Sequence, residues 1–250
     1  MASQIPQVPL VLIEIPSIYP TNVPKWQRKN LPARFAQCTP DTKWAIGQIV
    51  PALSQIGGEL YLSDMFRSYE MQFQANNDYV TGKKKAYSPP PGGSMHESGR
   101  AFDLALGDLG VTLRAFWDIA GPLGVLPIIE RADSRLSEAW HFDCRGSHGK
   151  VYDYYLAGKA DNFQPYTAMA VSAIMSAGIE NRRVADQVIG RLQSDLIRLD
   201  FDPGPIDGIL GARTQKALAD FGVATADPEQ ALCDLEAALM TMYPGEYAEE

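Results

Sequence analysis

Residues 94–103 read SMHESGRAFD, and residues 138–143, further along, read EAWHFD. Between them these stretches hold two of the chain's three histidines. A catalytic zinc ion takes three protein ligands drawn from imidazole and carboxylate and leaves a fourth position for water. His96, Asp103 and His141 supply that donor set. Glu138 adds a carboxylate beside it, placed to accept a proton from the water and hand it to a leaving amine. The residue types and their spacing point to metal-assisted hydrolysis.

The flanking residues say how such a site is carried. AFDLAL at 101–106 alternates as a short strand, with Phe102, Leu104 and Leu106 on the core side and Asp103 facing away from them alongside Ala101 and Ala105. EAWHFDC at 138–144 reads as the closing strand. A period of two would put Glu138 and His141 on opposite faces, so Glu138 is expected before the regular strand or at a bulge. Glu130 and Asp133 are candidates for bonding a ligand histidine from behind. The run KKKAYSPPPGGS at 83–94 is an irregular loop leading straight into His96, with Lys83 to Lys85 solvated. Upstream, apolar spacing predicts a helix over 43–56, ELYLSDMF a strand over 59–66 that delivers Arg67, and YEMQFQANNDYV a helix over 69–80 with Ser68 and Gln72 one turn apart. Helices are also expected over 113–123 and 151–157. The proline-rich segment 1–40 reads as an extended arm or edge strand followed by loop.

The pattern HxxGxxxD followed by ExWH resembles the M15 zinc peptidases, the D-alanyl-D-alanine carboxypeptidase or VanY-like family, which shares its fold with the hedgehog signalling domain. The resemblance spans roughly residues 40–157. It implies an α+β, hedgehog/DD-peptidase-like zinc domain with a small antiparallel sheet flanked by helices. It also implies Zn2+ as cofactor on His96, Asp103 and His141, with Glu138 as the catalytic acid/base. FRSYEMQ at 66–72 matches the family's Arg-Ser pair followed by an aromatic and a glutamine. Arg67, Ser68 and Gln72 are therefore expected at the substrate, Arg67 as a fork for a carboxylate. Ser94, just before the first ligand, and Trp140, as a wall, complete the expected substrate-binding set.

Beyond about residue 165 helical periodicity dominates, with Val184, Val188, Leu192, Leu196 and Leu199 in one apolar stripe. Gly204, Pro205, Asp207, Gly208, Gly211 and Thr214 match the GPxDGxxGxxT hairpin of the small three-helix peptidoglycan-binding domain, which this stretch resembles. Thr214 is placed to cap or begin the second helix. Phe221 is followed by Gly222 where that family usually has glutamine. The expected organisation is an N-terminal arm over 1–40, a zinc peptidase domain over 41–162, a linker or helix over 163–182 and a peptidoglycan-binding-like helical domain over 183–243.

At 250 residues and 46% hydrophobic, the chain can bury the cores of two such domains. A net charge of −8 argues against a nonspecific nucleic-acid binder, which needs basic patches to displace counterions; binding to a polyanion would have to be local. The three cysteines, Cys38, Cys144 and Cys233, are odd in number and lack CxxC spacing, which argues against a disulfide scaffold. His148 is expected at the surface. Pro6, Pro9, Glu14 and Pro16 interrupt the apolar start, so no standard signal peptide is expected, and no stretch is apolar enough to span a membrane. The protein is expected to act on the cell wall after export or lysis, with peptidoglycan as partner and no oligomeric state specified. The activity expected is hydrolysis of peptidoglycan stem peptides by a D,D-carboxypeptidase or endopeptidase, or at an L-Ala-D-Glu bond, in a lytic endolysin or exported effector. The alternatives are a catalytically silent peptidoglycan-binding protein with a structural zinc and a cytosolic D,D-dipeptidase.

Overall fold

A computed structural model describes residues 5–223 and 227–248. The chain is α+β and divides into two compact units: one comprises Leu10–Pro91 and Met95–Arg145, the other the N-terminal stretch to Pro9, Gly92–Ser94 and Gly146–Glu250.

The first unit holds the sheets. β1 (Val11–Leu12) pairs antiparallel with β2 (Gln37–Cys38), and α1 (Pro40–Gln55) follows with Pro at its first turn, where a missing N–H costs nothing. β3 (Leu62–Asp64), α2 (Tyr69–Val80), β4 (Ala101–Leu104), α3 (Leu113–Ala120), β5 (Val125–Pro127) and β6 (His141–Cys144) complete the unit. The main sheet is antiparallel throughout, in the order β3-β4-β6-β5. The proline-rich arm is bound to its edge: Ser17 forms a parallel bridge with Leu62, and the Ile18 N–H donates to the Leu62 carbonyl at 3.1 Å. Phe102 and Leu104 face the apolar core with Ile46, Ile49, Leu53, Phe116 and Phe142, as the strand alternation predicts. Arg100, fully buried, donates to Asp41 at 2.7 Å and to the Cys144 carbonyl at 3.2 Å, tying the start of α1 to the end of β6.

The second unit is helical: α4 (Gly149–Leu156), α5 (Pro165–Ser176), α6 (Gln187–Arg198), α7 (Ala212–Phe221), α8 (Pro228–Met242) and the one-turn α9 (Pro244–Tyr247). The apolar stripe of α6 packs Leu192 and Leu196 against Leu218, Leu232, Leu235 and Leu239. Charges are buried here in pairs. Arg191 meets Glu236 at 2.5 Å, and Arg198 meets Asp195 at 2.8 Å and Glu246 at 3.0 Å. His148 is fully buried with Nδ1 on Ser172 Oγ at 2.7 Å, where the sequence predicts exposure; the polar pocket that receives it comes from α5 and α6, far along the chain. None of the helices among the described residues is long and apolar enough to cross a membrane.

The 204–214 hairpin is organised by one buried side chain. Gln193 Oε1 accepts from the Asp207 and Gly208 N–H groups at 3.0 and 2.9 Å, and its Nε2 donates to Asp207 Oδ1, the Ile209 carbonyl and Thr214 Oγ1. Thr214 lies inside the first turn of α7, and its hydroxyl donates to the Pro203 carbonyl instead of capping the helix. Gly208 sits at φ +77°, and a Cβ there would lie 2.4 Å from the Asp186 nitrogen. Gly208→Ala should therefore destabilise the helical unit by about 2 kcal/mol or more. Urea unfolding followed by circular dichroism checks this, and an unchanged midpoint would refute it.

Candidate metal centre

His96 lies on a one-turn 3-10 helix, Met95–Ser98, whose residues are all buried. That turn must double back into β4, and Gly99 makes the bend: its φ is +68°, and a Cβ would stand 2.8 Å from Cys38 Cα. Gly99 thus occupies the glycine position of HxxG for a steric reason. The Arg67 N–H donates to the His96 carbonyl at 3.1 Å and fixes the turn beside β3.

In β4 and β6 the register sets Asp103 directly opposite His141. With His96 they bring one ligand atom each to within 4.8 Å of one another. The tautomers follow from the outward contacts. His96 Nδ1 bonds the Met65 carbonyl, which makes it the protonated nitrogen and leaves the Nε2 lone pair free. His141 turns Nε2 to Asp143 Oδ1 at 2.9 Å, leaving Nδ1 to face Asp103 Oδ1 at 3.0 Å. His96 Nε2 lies 3.3 Å from that same oxygen. Two imidazole nitrogens and a carboxylate oxygen therefore converge, a donor set suited to zinc once the His141 proton is displaced.

Asp143 takes the place behind the ligand histidine for which Glu130 and Asp133 were candidates; Asp133 is engaged with Arg135 at 2.9 Å. The signal lay in HFD itself, since residues two apart on a strand share a face. Burial favours a raised pKa for Asp103, but the two histidines outweigh it and hold the carboxyl well below the usual range. Burial alone would lower His141, yet the carboxylates of Asp143 and Asp103 push it up to about 10. Without a metal the centre thus retains a proton where a cation would serve.

Glu138 precedes β6, at φ +66°, in a turn closed by the His141 N–H donating to its carbonyl at 3.0 Å. The regular strand is shorter than the sequence suggests and starts at His141. Glu138 is half-buried, and burial chiefly, with Asp103 secondarily, raises its pKa. Trp140 is half-buried, and its carbonyl accepts from the Leu104 N–H at 2.8 Å.

Arg67 is nearly buried beside the ligands. Its Nε donates to Asp64 Oδ2 at 2.7 Å and Nη2 approaches the same atom at 2.7 Å; Nη1 donates to Gln72 Oε1 at 3.2 Å, and Nη2 reaches Asp103 Oδ2 at 3.5 Å. The edge of the guanidinium that would clasp a substrate carboxylate is turned to Asp64. Ser68 caps α2, accepting from the Met71 N–H at 3.4 Å. Gln72 is fully buried and links Arg67 to Ser88 Oγ and the Pro89 carbonyl. Ser94 is also buried and groups with the second unit.

No protein-family model matches the chain, and no curated protein does. Among solved structures, the L,D-carboxypeptidase DacB from Streptococcus pneumonia is 24% identical over 48% of this chain and 78% of its own, with a TM-score of 0.34. The LdcB LD-carboxypeptidase, whose structure is described as revealing the molecular basis of peptidoglycan recognition, is 20% identical over 57% and 70%, with a TM-score of 0.38. DacB from Streptococcus pneumoniae D39 gives 22% identity over 48% and 77%, with a TM-score of 0.34.

Asp143→Asn should weaken metal binding by about 10- to 100-fold, because the amide orients His141 less firmly and gives it less basicity. Competition with a chromophoric chelator measures this, and an unchanged affinity would remove Asp143 from the centre. Because His141 carries a proton up to about pH 10, zinc added at pH 7 must displace it. Calorimetry in buffers of different ionisation enthalpy should show about one proton released per metal bound and an affinity that rises with pH.

Proposed function

We propose that the chain is a zinc-dependent peptidase acting on peptidoglycan stem peptides. The observation that carries this reading is the convergence of donor atoms from two histidines and an aspartate, with the half-buried Glu138 in a left-handed turn just before the strand that bears His141. His96 Nε2, His141 Nδ1 and an Asp103 oxygen would hold the zinc ion. When bound, it supplies Lewis acidity, lowering the pKa of a water molecule and polarising the scissile carbonyl.

The protein's part in the reaction is proton handling and orientation. Glu138 accepts the proton of the attacking water on a carboxylate oxygen and then gives it to the nitrogen of the departing amine. Its raised pKa suits the second task, since a carboxyl that holds its proton more firmly is a donor nearer to neutral pH. Asp143 and the Met65 carbonyl keep the two imidazoles in the ligating tautomer. Arg67 steadies Asp103 and lends positive charge to the region where negative charge develops on the substrate oxygen. Ser68, Gln72, Ser94 and Trp140 are assigned to the substrate side of the centre, Gln72 by fixing Arg67 and the 88–89 loop. The helical unit, with its GPxDGxxGxxT hairpin, is assigned to retention on the polymer, raising the effective concentration of stem peptides without changing the chemistry. Action at the wall after export or lysis accompanies this reading.

A catalytically silent protein would have no use for a carboxyl kept in a left-handed turn beside the metal ligands, a conformation that costs of order 1 kcal/mol. Glu138→Ala should keep zinc at the wild-type stoichiometry and lower release of soluble product from purified sacculi by about 100-fold or more. His141→Ala should lose both zinc and activity. Mass spectrometry of the released fragments, with metal analysis of each variant, reads the two outcomes together. Wild-type turnover in the Glu138→Ala protein would defeat the mechanism.

A further inference from the structure

Resting on the peptidase reading, we infer that Asp64 sets the specificity of this centre: it fills the guanidinium fork of Arg67 in place of a substrate carboxylate, so the bond cleaved is an internal one, with the chain continuing beyond it. An irregularity in the sheet brings Asp64 to this place. Residues two apart on a strand share a face, and Leu62 is fully buried in the core. The register between β3 and β4 shifts between Leu62 and Asp64, which pairs Asp64 with Asp103. Paired residues share a face, so the bulge turns Asp64 away from the core and toward the side of the metal ligand. Its carboxylate is then fixed by the backbone, with Oδ1 accepting from the Met65 N–H at 2.9 Å.

A guanidinium can dock a carboxylate with parallel hydrogen bonds on either of two edges, one made by Nε with a terminal nitrogen and the other by the two terminal nitrogens. Both edges of Arg67 are taken. Asp64 Oδ2 holds the first, at 2.7 Å from Nε and 2.7 Å from Nη2. On the second, Nη1 donates to Gln72 Oε1 at 3.2 Å and Nη2 to Asp103 Oδ2 at 3.5 Å. Gln72 cannot swing aside freely, because its Nε2 donates to Ser88 Oγ at 3.1 Å and to the Pro89 carbonyl at 2.6 Å. The side chain of Arg67 is 8% exposed and that of Asp64 25%, so the carboxylate offers an arriving substrate more surface than the cation it covers.

The consequence concerns the residue just past the scissile bond. If that residue is the last, it carries a free carboxylate one Cα beyond the departing amine. To bind it, Arg67 would have to leave Asp64, which would then stand unpaired, close to Asp103 and to the incoming charge. A buried cation is thus exchanged between two carboxylates at the cost of stranding one of them. When the chain continues, the same position holds a neutral amide and the Arg67–Asp64 pair stays intact. Asp64 acts through Arg67 as a positioning residue, and the substrate class is a stem peptide or cross-link cut at an internal bond.

The test first identifies by mass spectrometry the bond cut in sacculi. Peptides are then made in which that bond is followed by a single residue, as a free acid and as an amide, or by a longer chain. Wild type should favour the amide and the longer peptide over the acid by about tenfold in kcat/KM, through KM. Asp64→Ala should free the fork and shift the acid-to-amide ratio toward the acid by about tenfold or more, and Asp64→Asn should shift it the same way by less. Adding Arg67→Met to Asp64→Ala should abolish the gain. Because each ratio is taken within one protein sample, a loss of zinc or of folded protein cancels. A wild-type preference for the acid, an unchanged ratio in both Asp64 variants, or a gain that survives Arg67→Met would overturn the assignment. If wild type releases nothing from sacculi, it is the peptidase reading that fails. Calorimetry of stem pentapeptide acid and amide with the zinc-loaded proteins then decides Asp64 separately: tighter binding of the acid, and not the amide, by Asp64→Ala upholds it, and equal binding of the acid by Asp64→Ala and wild type overturns it.

Discussion

The pairing of β4 with β6 is the constraint on which the rest of the molecule's chemistry depends. Ala101 faces Asp143, Phe102 faces Phe142 and Asp103 faces His141. Because strand side chains alternate between faces, a slip of one residue would carry the donors into the core and the phenylalanines out of it. The core holds the register. Phe102 and Phe142 are fully buried with ring centroids 6.2 Å apart, and Phe116 from α3 packs edge-on against Phe142 at 4.7 Å. Hydrophobic packing on one face of two four-residue strands thus positions a polar centre on the other, and the bond from the Leu104 N–H to the Trp140 carbonyl extends that hold to the turn bearing Glu138.

Electrostatics complete what the register begins. Asp103 and Asp143 bond the histidines, and Arg67 joins Asp103 to Asp64. Each histidine spends one nitrogen on an oxygen outside the centre and presents the other inward. Asp143 serves the fold and the chemistry at once: it is buried next to Cys144 on the core-lined strand, yet it directs His141.

Local pattern carried much of this. The strand predicted over 101–106, regular only to Leu104, its buried Phe102 and Leu104, the helix over 69–80 and the displacement of Glu138 from the regular strand follow from alternation and spacing, because those properties depend on near neighbours. His96, Asp103 and His141 were legible as a set because few residue types serve as ligands and the chain has few histidines. What the sequence hid depends on distant segments. His148 is buried because Ser172 and Ser194 close around it, and Gln193 gains its role only when the 204–214 hairpin folds back onto α6. The arm pairs with β3 through Leu62, which no motif in residues 1–40 announces. Arg67 was legible as a residue of the centre, but its bond to Asp64 became visible only once the chain between them had turned back on itself.

The central claim is that His96, Asp103 and His141 form an open zinc site. A crystal structure of zinc-loaded protein, with anomalous data collected on both sides of the zinc edge, tests it most directly. The account predicts one zinc ion per chain, ligated by His96 Nε2, His141 Nδ1 and an Asp103 oxygen, with one coordination position not supplied by the protein. Zinc bound elsewhere, or a fourth protein ligand closing the site, would contradict it.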